Sequence, residues 1–203
     1  MNNRHAHWEN VFETKSPDEV SWTEEYPKTS FEFICKLSSD TSLPIIDIGG
    51  GDSRLVDYLL DKGYTDISVL DISEKALLRA QKRLGERSKK VQWFTSDILS
   101  FKPQREYAIW HDRASFHFLT KSEDISFYTD LVNRWVKKHL IVGTFSTKGP
   151  SKCSGLPITQ YSCDTLADNF KEAFSVLECK PFLHRTPFNT EQNFVFSSFR
   201  KKI

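Results

Sequence analysis

Pro44-Ile45-Ile46-Asp47-Ile48-Gly49-Gly50-Gly51-Asp52-Ser53 leads a short apolar run straight into three consecutive glycines. A run of this length, closed by residues that let the backbone turn tightly, reads as a buried strand ending in a loop that can approach a ligand. Leu55, Val56, Leu59 and Leu60 then recur at helical spacing, and Gly63 supplies a helix stop. Ile67-Ser68-Val69-Leu70 is the next strand, and Asp71 stands at its end, 20 residues beyond Gly51.

The alternation continues outward from there. Ser73 caps a helix carrying Ala76, Leu77, Ala80 and Leu84, closed by Gly85. Residues 91–94 and 107–110 are strands three and four. Ser122 caps a longer helix with Ile125, Tyr128, Leu131, Val132, Trp135 and Val136 on one side, and residues 140–145 are strand five. Ser162 opens a helix holding Leu166, Phe170 and Phe174, after which two strands lie near residues 175–179 and 193–199. Strand-helix alternation implies right-handed crossovers and a parallel sheet. The last two strands are joined by residues 180–192, rich in Pro, Thr and Asn, which suits a hairpin. The expected fold is α/β. It is a doubly wound, mostly parallel seven-stranded sheet with one antiparallel strand near the C-terminus and helices on both faces. It forms a single domain over 1–203, with an N-terminal arm over 1–30 and a Rossmann-like core over 31–203.

In such sheets ligands bind at the carboxyl ends of the strands, where the strand order reverses. A carboxylate at Asp71 can accept hydrogen bonds from both ribose hydroxyls of a nucleoside. The dinucleotide fingerprint G-x-G-x-x-G, begun at Gly49, needs a glycine where Arg54 stands, and it has no acid where this chain has Asp47. The order D-x-G-x-G, strand, acid, strand, Asp resembles the class I, Rossmann-like methyltransferases that use S-adenosylmethionine, and the likeness runs from Trp8 to Phe199.

The resemblance implies roles residue by residue. Asp47, Gly49 and Gly51 match the glycine motif that cradles the methionine part and the ribose. Asp71 matches the ribose acid, with Ile72 beside the adenine. Asp97, in Thr95-Ser96-Asp97-Ile98, matches the residue facing the adenine amino group, and the Ile98 amide meets the ring. His111 ends the fourth strand next to the sulfonium. His7-Trp8-Glu9-Asn10-Val11-Phe12 and Ser21-Trp22 resemble the W-x-x-x-[YF]…W segment of some members, including lysine methyltransferases acting on elongation factors. There the segment folds over the cofactor's methionine end; a helix docked by its aromatics explains Trp8 and Trp22 equally well. Many relatives have a Pro-Gly-Gly turn before the fifth strand, whereas this chain has Val136-Lys137-Lys138-His139.

Trp110-His111-Asp112-Arg113-Ala114-Ser115-Phe116-His117-Phe118 is the candidate acceptor segment. His111 or Asp112 is expected to accept a proton, and Arg113 to hold an anionic group. The bland alternative has Asp112 and Arg113 capping the next helix while His117 sits in the core. The segment lacks the [DNS]-P-P-[YFW] of enzymes acting on the amino groups of adenine, cytosine or glutamine. Cys153 is the one cysteine near enough to consider as a cytosine-C5 nucleophile, and no motif accompanies it. The loop from Thr147 to Pro157 follows strand five and should border the same cleft.

With 28 basic and 27 acidic residues the net charge is +1, which argues against a general nucleic-acid binder while leaving room for one local basic groove. None of Cys35, Cys153, Cys163 and Cys179 forms a C-x-x-C pair, so no metal site is expected. Disulfides are not expected either, and with a polar N-terminus and no long apolar run the chain reads as a reduced, cytoplasmic monomer with no membrane partner. The expected activity is methyl transfer to a small molecule, because Phe116, Phe118 and Phe145 favour a compact, partly apolar pocket. A protein lysine acceptor and a non-catalytic cofactor-binding scaffold are the alternatives.

Overall fold

The computed structural model describes residues 3–203; Met1 and Asn2, the start of the expected arm, lie outside the described residues. Nine strands are formed among the described residues: β1 (Ile45–Ile48), β2 (Ile67–Asp71), β3 (Val91–Thr95), β4 (Tyr107–Arg113), β5 (Val136–Phe145), β6 (Lys152–Cys153), β7 (Leu156–Pro157), β8 (Phe174–Arg185) and β9 (Glu191–Lys201). Seven of them form one sheet in the order β3-β2-β1-β4-β5-β9-β8, and β6 pairs with β7 in a small separate ribbon. Only β9 runs against its neighbours, pairing antiparallel with both β5 and β8. The expected sheet is therefore the observed one.

The period-2 alternation of each strand sends side chains to two cores. Ile45, Val69, Ile109 and Ile141 meet Phe33, Leu55, Leu59 and Leu77 from α2 (Lys28–Leu37), α3 (Leu55–Lys62) and α4 (Glu74–Leu84). Ile46, Leu70, Trp110 and Leu140 meet Tyr128, Val132, Leu166 and Phe170 from α5 (Ser122–Trp135) and α6 (Cys163–Phe170). Central β1 is buried at every position, as a strand covered on both faces requires. Ser73 caps α4 by accepting from the Ala76 amide at 3.2 Å. Gly63 ends α3 with φ of 95°.

Several local expectations are corrected. β4 runs three residues further than its apolar core suggests, to Arg113, so His111 and Asp112 are strand residues. Ser122 is the first residue of α5 rather than its cap, which is Lys121. The helix then passes directly into β5 at Val136, which replaces the missing Pro-Gly-Gly turn. Phe174 begins β8 instead of ending α6. Most of 180–192 is strand: β8 and β9 continue to a tight turn in which the Thr186 amide donates to Thr190 O at 2.8 Å. Pro181 is tolerated there because β8 is the sheet edge. Cys163 and Cys179 form a disulfide that ties α6 to β8, where four reduced cysteines were expected. Their Cα atoms lie 5.9 Å apart, because the start of α6 packs against this edge strand, a neighbourhood that spacing in sequence does not encode. Among the described residues, no helix is long and apolar enough to cross a membrane.

Candidate active site

The strand order reverses between β1 and β4, and the chain opens a cavity of about 710 Å³ at their carboxyl ends. Its floor is the glycine loop. Gly49 and Gly51 have φ of +65° and +46°, which side-chain-bearing residues rarely adopt. Space is tight as well: a Cβ on Gly49 would stand 2.8 Å from Ser115 Cβ, and one on Gly51 3.0 Å from Asp71 Oδ2, so neighbouring side chains would have to shift.

Asp71 ends β2 beside this loop and is 6% exposed. Its Oδ1 accepts from the Ser73 amide at 2.8 Å, which leaves lone pairs for a ligand's hydroxyls. Burial, with Asp52 and Asp47 nearby, pushes its carboxyl up to about 7, against the pull of the Ser73 amide. Ile72, Asp97 and Ile98 continue the same wall. Asp97 Oδ1 accepts from the Leu99 amide at 3.0 Å, and its Oδ2 lies 3.8 Å from Arg4 Nη1. The carboxylates and the Cβ-free cradle have the chemistry a nucleoside joined to an amino acid requires.

The N-terminal arm forms the roof. α1 (Asn3–Thr14) is held to α4 by Arg79, which donates to Phe12 O and, at 2.8 Å, to Lys15 O. Trp8 packs edge to face on Trp22 at 5.7 Å and on Phe118 at 5.2 Å between ring centroids. All three rings line the cavity. Trp8 and Trp22 thus line the cavity, and they also do the docking that the alternative required.

Alternation along β4 separates the three expected catalytic residues. His111 and Arg113 face the cavity. Asp112, expected beside them at the mouth, is wholly buried on the opposite face of the sheet. Its carboxylate accepts from Tyr128 Oη at 2.7 Å and from the Ser115 and Phe116 amides at 3.1 and 2.9 Å. Burial pushes it up to about 6, partly offset by those donors. His111 Nδ1 lies 2.7 Å from Asp47 Oδ1.

Arg113 is not available to an anionic acceptor in the way expected. Its Nη1 donates to Trp22 O at 3.0 Å, and its Nη2 lies 3.4 Å from Glu24 Oε2 and 3.5 Å from His184 Nδ1. His184 closes the group, with Nδ1 3.2 Å from Glu24 Oε1 and Nε2 2.6 Å from Ser21 O. Glu24, Ser30 and His184 were not singled out from sequence. Glu24 lies in the N-terminal arm, two residues beyond the quoted Ser21-Trp22, but His184 falls in a stretch whose composition reads as loop.

His117 lies outside the cavity, fully buried and stacked on Phe145 at 4.8 Å, and burial, with Arg113 nearby, pushes it down to about 3. Phe116 and Phe145 are also buried in the core, so of the three expected pocket rings only Phe118 lines the site. The loop after β5 reaches the cavity through Cys153, on a small ribbon of β6 (Lys152–Cys153) and β7 (Leu156–Pro157). Burial pushes the Cys153 thiol up to about 12, which keeps it protonated and unfit as a nucleophile.

Residues 45–139 match the family model described as a methyltransferase domain. An eEF1A lysine and N-terminal methyltransferase of Mus musculus is 25% identical over 125 residues, spanning 59% of this chain and 17% of that relative. The N-methyltransferase NodS of Bradyrhizobium japonicum, solved with S-adenosyl-l-homocysteine, is 15% identical, with a TM-score of 0.75 covering 100% of both chains. The 1,6-didemethyltoxoflavin-N1-methyltransferase of Burkholderia thailandensis, solved with 1,6-didemethyltoxoflavin and S-adenosylhomocysteine, is 12% identical, with a TM-score of 0.71 over 98% of this chain and 84% of that one.

Proposed function

We propose that the chain is a class I S-adenosylmethionine-dependent methyltransferase that transfers the cofactor's methyl group to a small-molecule acceptor. The observation that carries the acceptor reading is the roofed cavity. Trp8, Trp22 and Phe118 cover a space of about 710 Å³, within the range that a ligand-sized molecule and a compact partner fill.

Bound S-adenosylmethionine supplies a methyl group on a sulfonium whose departure leaves a neutral thioether. The protein's task is then alignment, worth roughly 7–11 kcal/mol when two reactants are held in line. In this reading Asp47, Gly49 and Gly51 hold the methionine part, Asp71 the ribose hydroxyls, and Ile72, Asp97 and Ile98 the adenine. Trp8 and Trp22 close over the methionine end. His111 stands at the reacting centre, and Arg113 fixes the roof by gripping Trp22 O and Glu24. Asp112 has no part in the chemistry, because its carboxylate faces the other core.

A protein lysine acceptor is the second reading. It is favoured by the eEF1A lysine and N-terminal methyltransferase likeness and by the aromatic arm. Radiolabelled cofactor incubated with the enzyme and a cell extract, then split by size, separates the two. Label in the small-molecule fraction supports the proposal, label confined to a protein band replaces it with the second reading, and no transfer to either leaves a cofactor-binding scaffold.

A further inference from the structure

Asp47 and His111 are direct partners in the β1–β4 ladder, so both side chains emerge on one face at the reversal of strand order. They are 4% and 2% exposed, and Asp47 Oδ1 lies 2.7 Å from His111 Nδ1. The other ring nitrogen, Nε2, is buried with no partner among the described residues, and His111 lines the cavity. We propose that Asp47 and His111 form a general-base pair, and that the acceptor therefore arrives protonated at its nucleophilic atom, as a hydroxyl or an ammonium.

This rests on the methyl-transfer reading above. A carboxylate has only acceptor atoms, so Nδ1 of a neutral imidazole must carry the hydrogen between them. That fixes the tautomer and leaves the lone pair on Nε2, the atom with no protein partner.

The balance of the step follows. The acceptor's lone pair forms the bond to the methyl carbon as the carbon–sulfur bond breaks, and the sulfur keeps that electron pair. A hydroxyl gives its proton to His111 Nε2 as the bond forms, whereas an ammonium, which has no lone pair, gives its proton to Nε2 first; in either case the resulting imidazolium is paired with Asp47 until it loses the proton to water. His111 is thus a catalytic residue and Asp47 a positioning residue. An acceptor with no proton to lose, such as a thioether or a pyridine, gains nothing from the pair. Among the described residues, Ser30 Oγ and Arg113 Nε, both in residues lining the same cavity, are also buried without a hydrogen-bond partner, and they suit an acceptor with polar substituents.

The test uses the full chain labelled with 15N-histidine and saturated with S-adenosylhomocysteine, with His111 assigned through His111→Gln. Long-range proton–nitrogen correlation should show a hydrogen-bearing Nδ1 and a bare Nε2 on His111, and Asp47→Asn should shift this toward a mixture. In parallel, catechol and benzylamine are compared with pyridine and dimethyl sulfide as acceptor probes. Any turnover should be confined to the first pair and fall about 100-fold or more in His111→Gln, the range of lost general-base catalysis. A hydrogen on Nε2, a cationic ring across neutral pH, or equal turnover of the two probe classes overturns the pair. Titration of S-adenosylhomocysteine into the same sample separates the failures: no binding overturns the cofactor reading, whereas binding with the wrong tautomer overturns only the general base.

Discussion

His184 on the edge strand and Glu24 in the N-terminal arm are 160 positions apart in sequence, and their side chains meet at 3.2 Å. Glu24 reaches Arg113 with its other oxygen at 3.4 Å, so one arm carboxylate clasps β4 and β8 together over the cavity. The long β8–β9 hairpin places His184 there, since it carries the edge strand past the end of β5.

Glu24→Ala should open this clasp. Breaking a buried ion pair costs about 3–5 kcal/mol, and the lower end applies because both side chains keep 13% exposure. Burial pulls the Glu24 carboxyl up, but Arg113 and His184 pull it further down, so its net shift is below the ordinary range. A lowered acid stabilises the fold fully above its unfolded value of about 4.3 and loses that contribution as pH falls through the folded value. Denaturant melts should therefore show the wild-type advantage over Glu24→Ala intact at neutral pH and vanishing in strong acid. An advantage that persists there would place the clasp's worth elsewhere.

Asp71 gives a pH dependence of the opposite sign. Its carboxyl is pushed up to about 7, above its unfolded value, so the ligand-free protein loses stability as pH rises from about 4 towards 7. Ribose hydroxyls donate to the ionised form, so S-adenosylhomocysteine affinity should rise about tenfold between pH 6 and pH 8 as that form is populated. Calorimetric titration of wild type and Asp71→Asn checks this. The variant should bind about 100-fold more weakly at pH 8 and lose the pH dependence.

The central architecture was legible because its signals are local. The Pro44–Ile48 run, the three glycines and Asp71 lie within one strand-turn-helix-strand unit, and burial on both faces leaves such strands continuously apolar. The edge strand's second half was not legible, because residues 180–185 of β8 are mostly exposed and include Pro181, a composition that turns share. At the site, the identity of the β4 polar cluster was readable but its sorting was not. Reading β4 as ending near residue 110 hid the alternation that turns His111 inward to the cavity and Asp112 to the other core. The Cys163–Cys179 bond and the Glu24–His184 contact depend on how distant segments close in space, which no spacing rule encodes.

Asp112 separates a structural role from a chemical one. Truncation to Ala strands the Tyr128 hydroxyl and two amides in the core, at a cost of about 2–4 kcal/mol. Asp112→Asn keeps an acceptor for the amides and should recover most of that loss. Denaturant melts report the stability, and turnover by the folded fraction should stay within about twofold of wild type in both variants, since RT ln 2 is a small part of any catalytic contribution. A hundredfold loss in a folded Asp112→Asn enzyme would return Asp112 to the reacting centre.

The roof supplies the last prediction. Trp8 and Trp22 line the cavity, whereas Trp93 packs against the strand-helix core, Trp110 is fully buried and Trp135 ends α5. Ligand entering beneath the roof should therefore change the emission of Trp8 and Trp22 selectively. Indole emission depends on polarity, and in this reading the ligand's amino-acid end replaces solvent against these rings. S-adenosylhomocysteine should shift the fluorescence of wild type, and Trp8→Phe with Trp22→Phe should remove most of the shift while leaving the other three tryptophans in place. Trp8→Ala goes further, because the ring also packs on Trp22 and Phe118. Losing aromatic contacts worth about 0.5–1.5 kcal/mol each loosens the arm, and affinity should fall about tenfold. If deletion of residues 3–24 leaves both affinity and the melting midpoint unchanged, the arm neither covers the ligand nor is held by the Glu24 clasp.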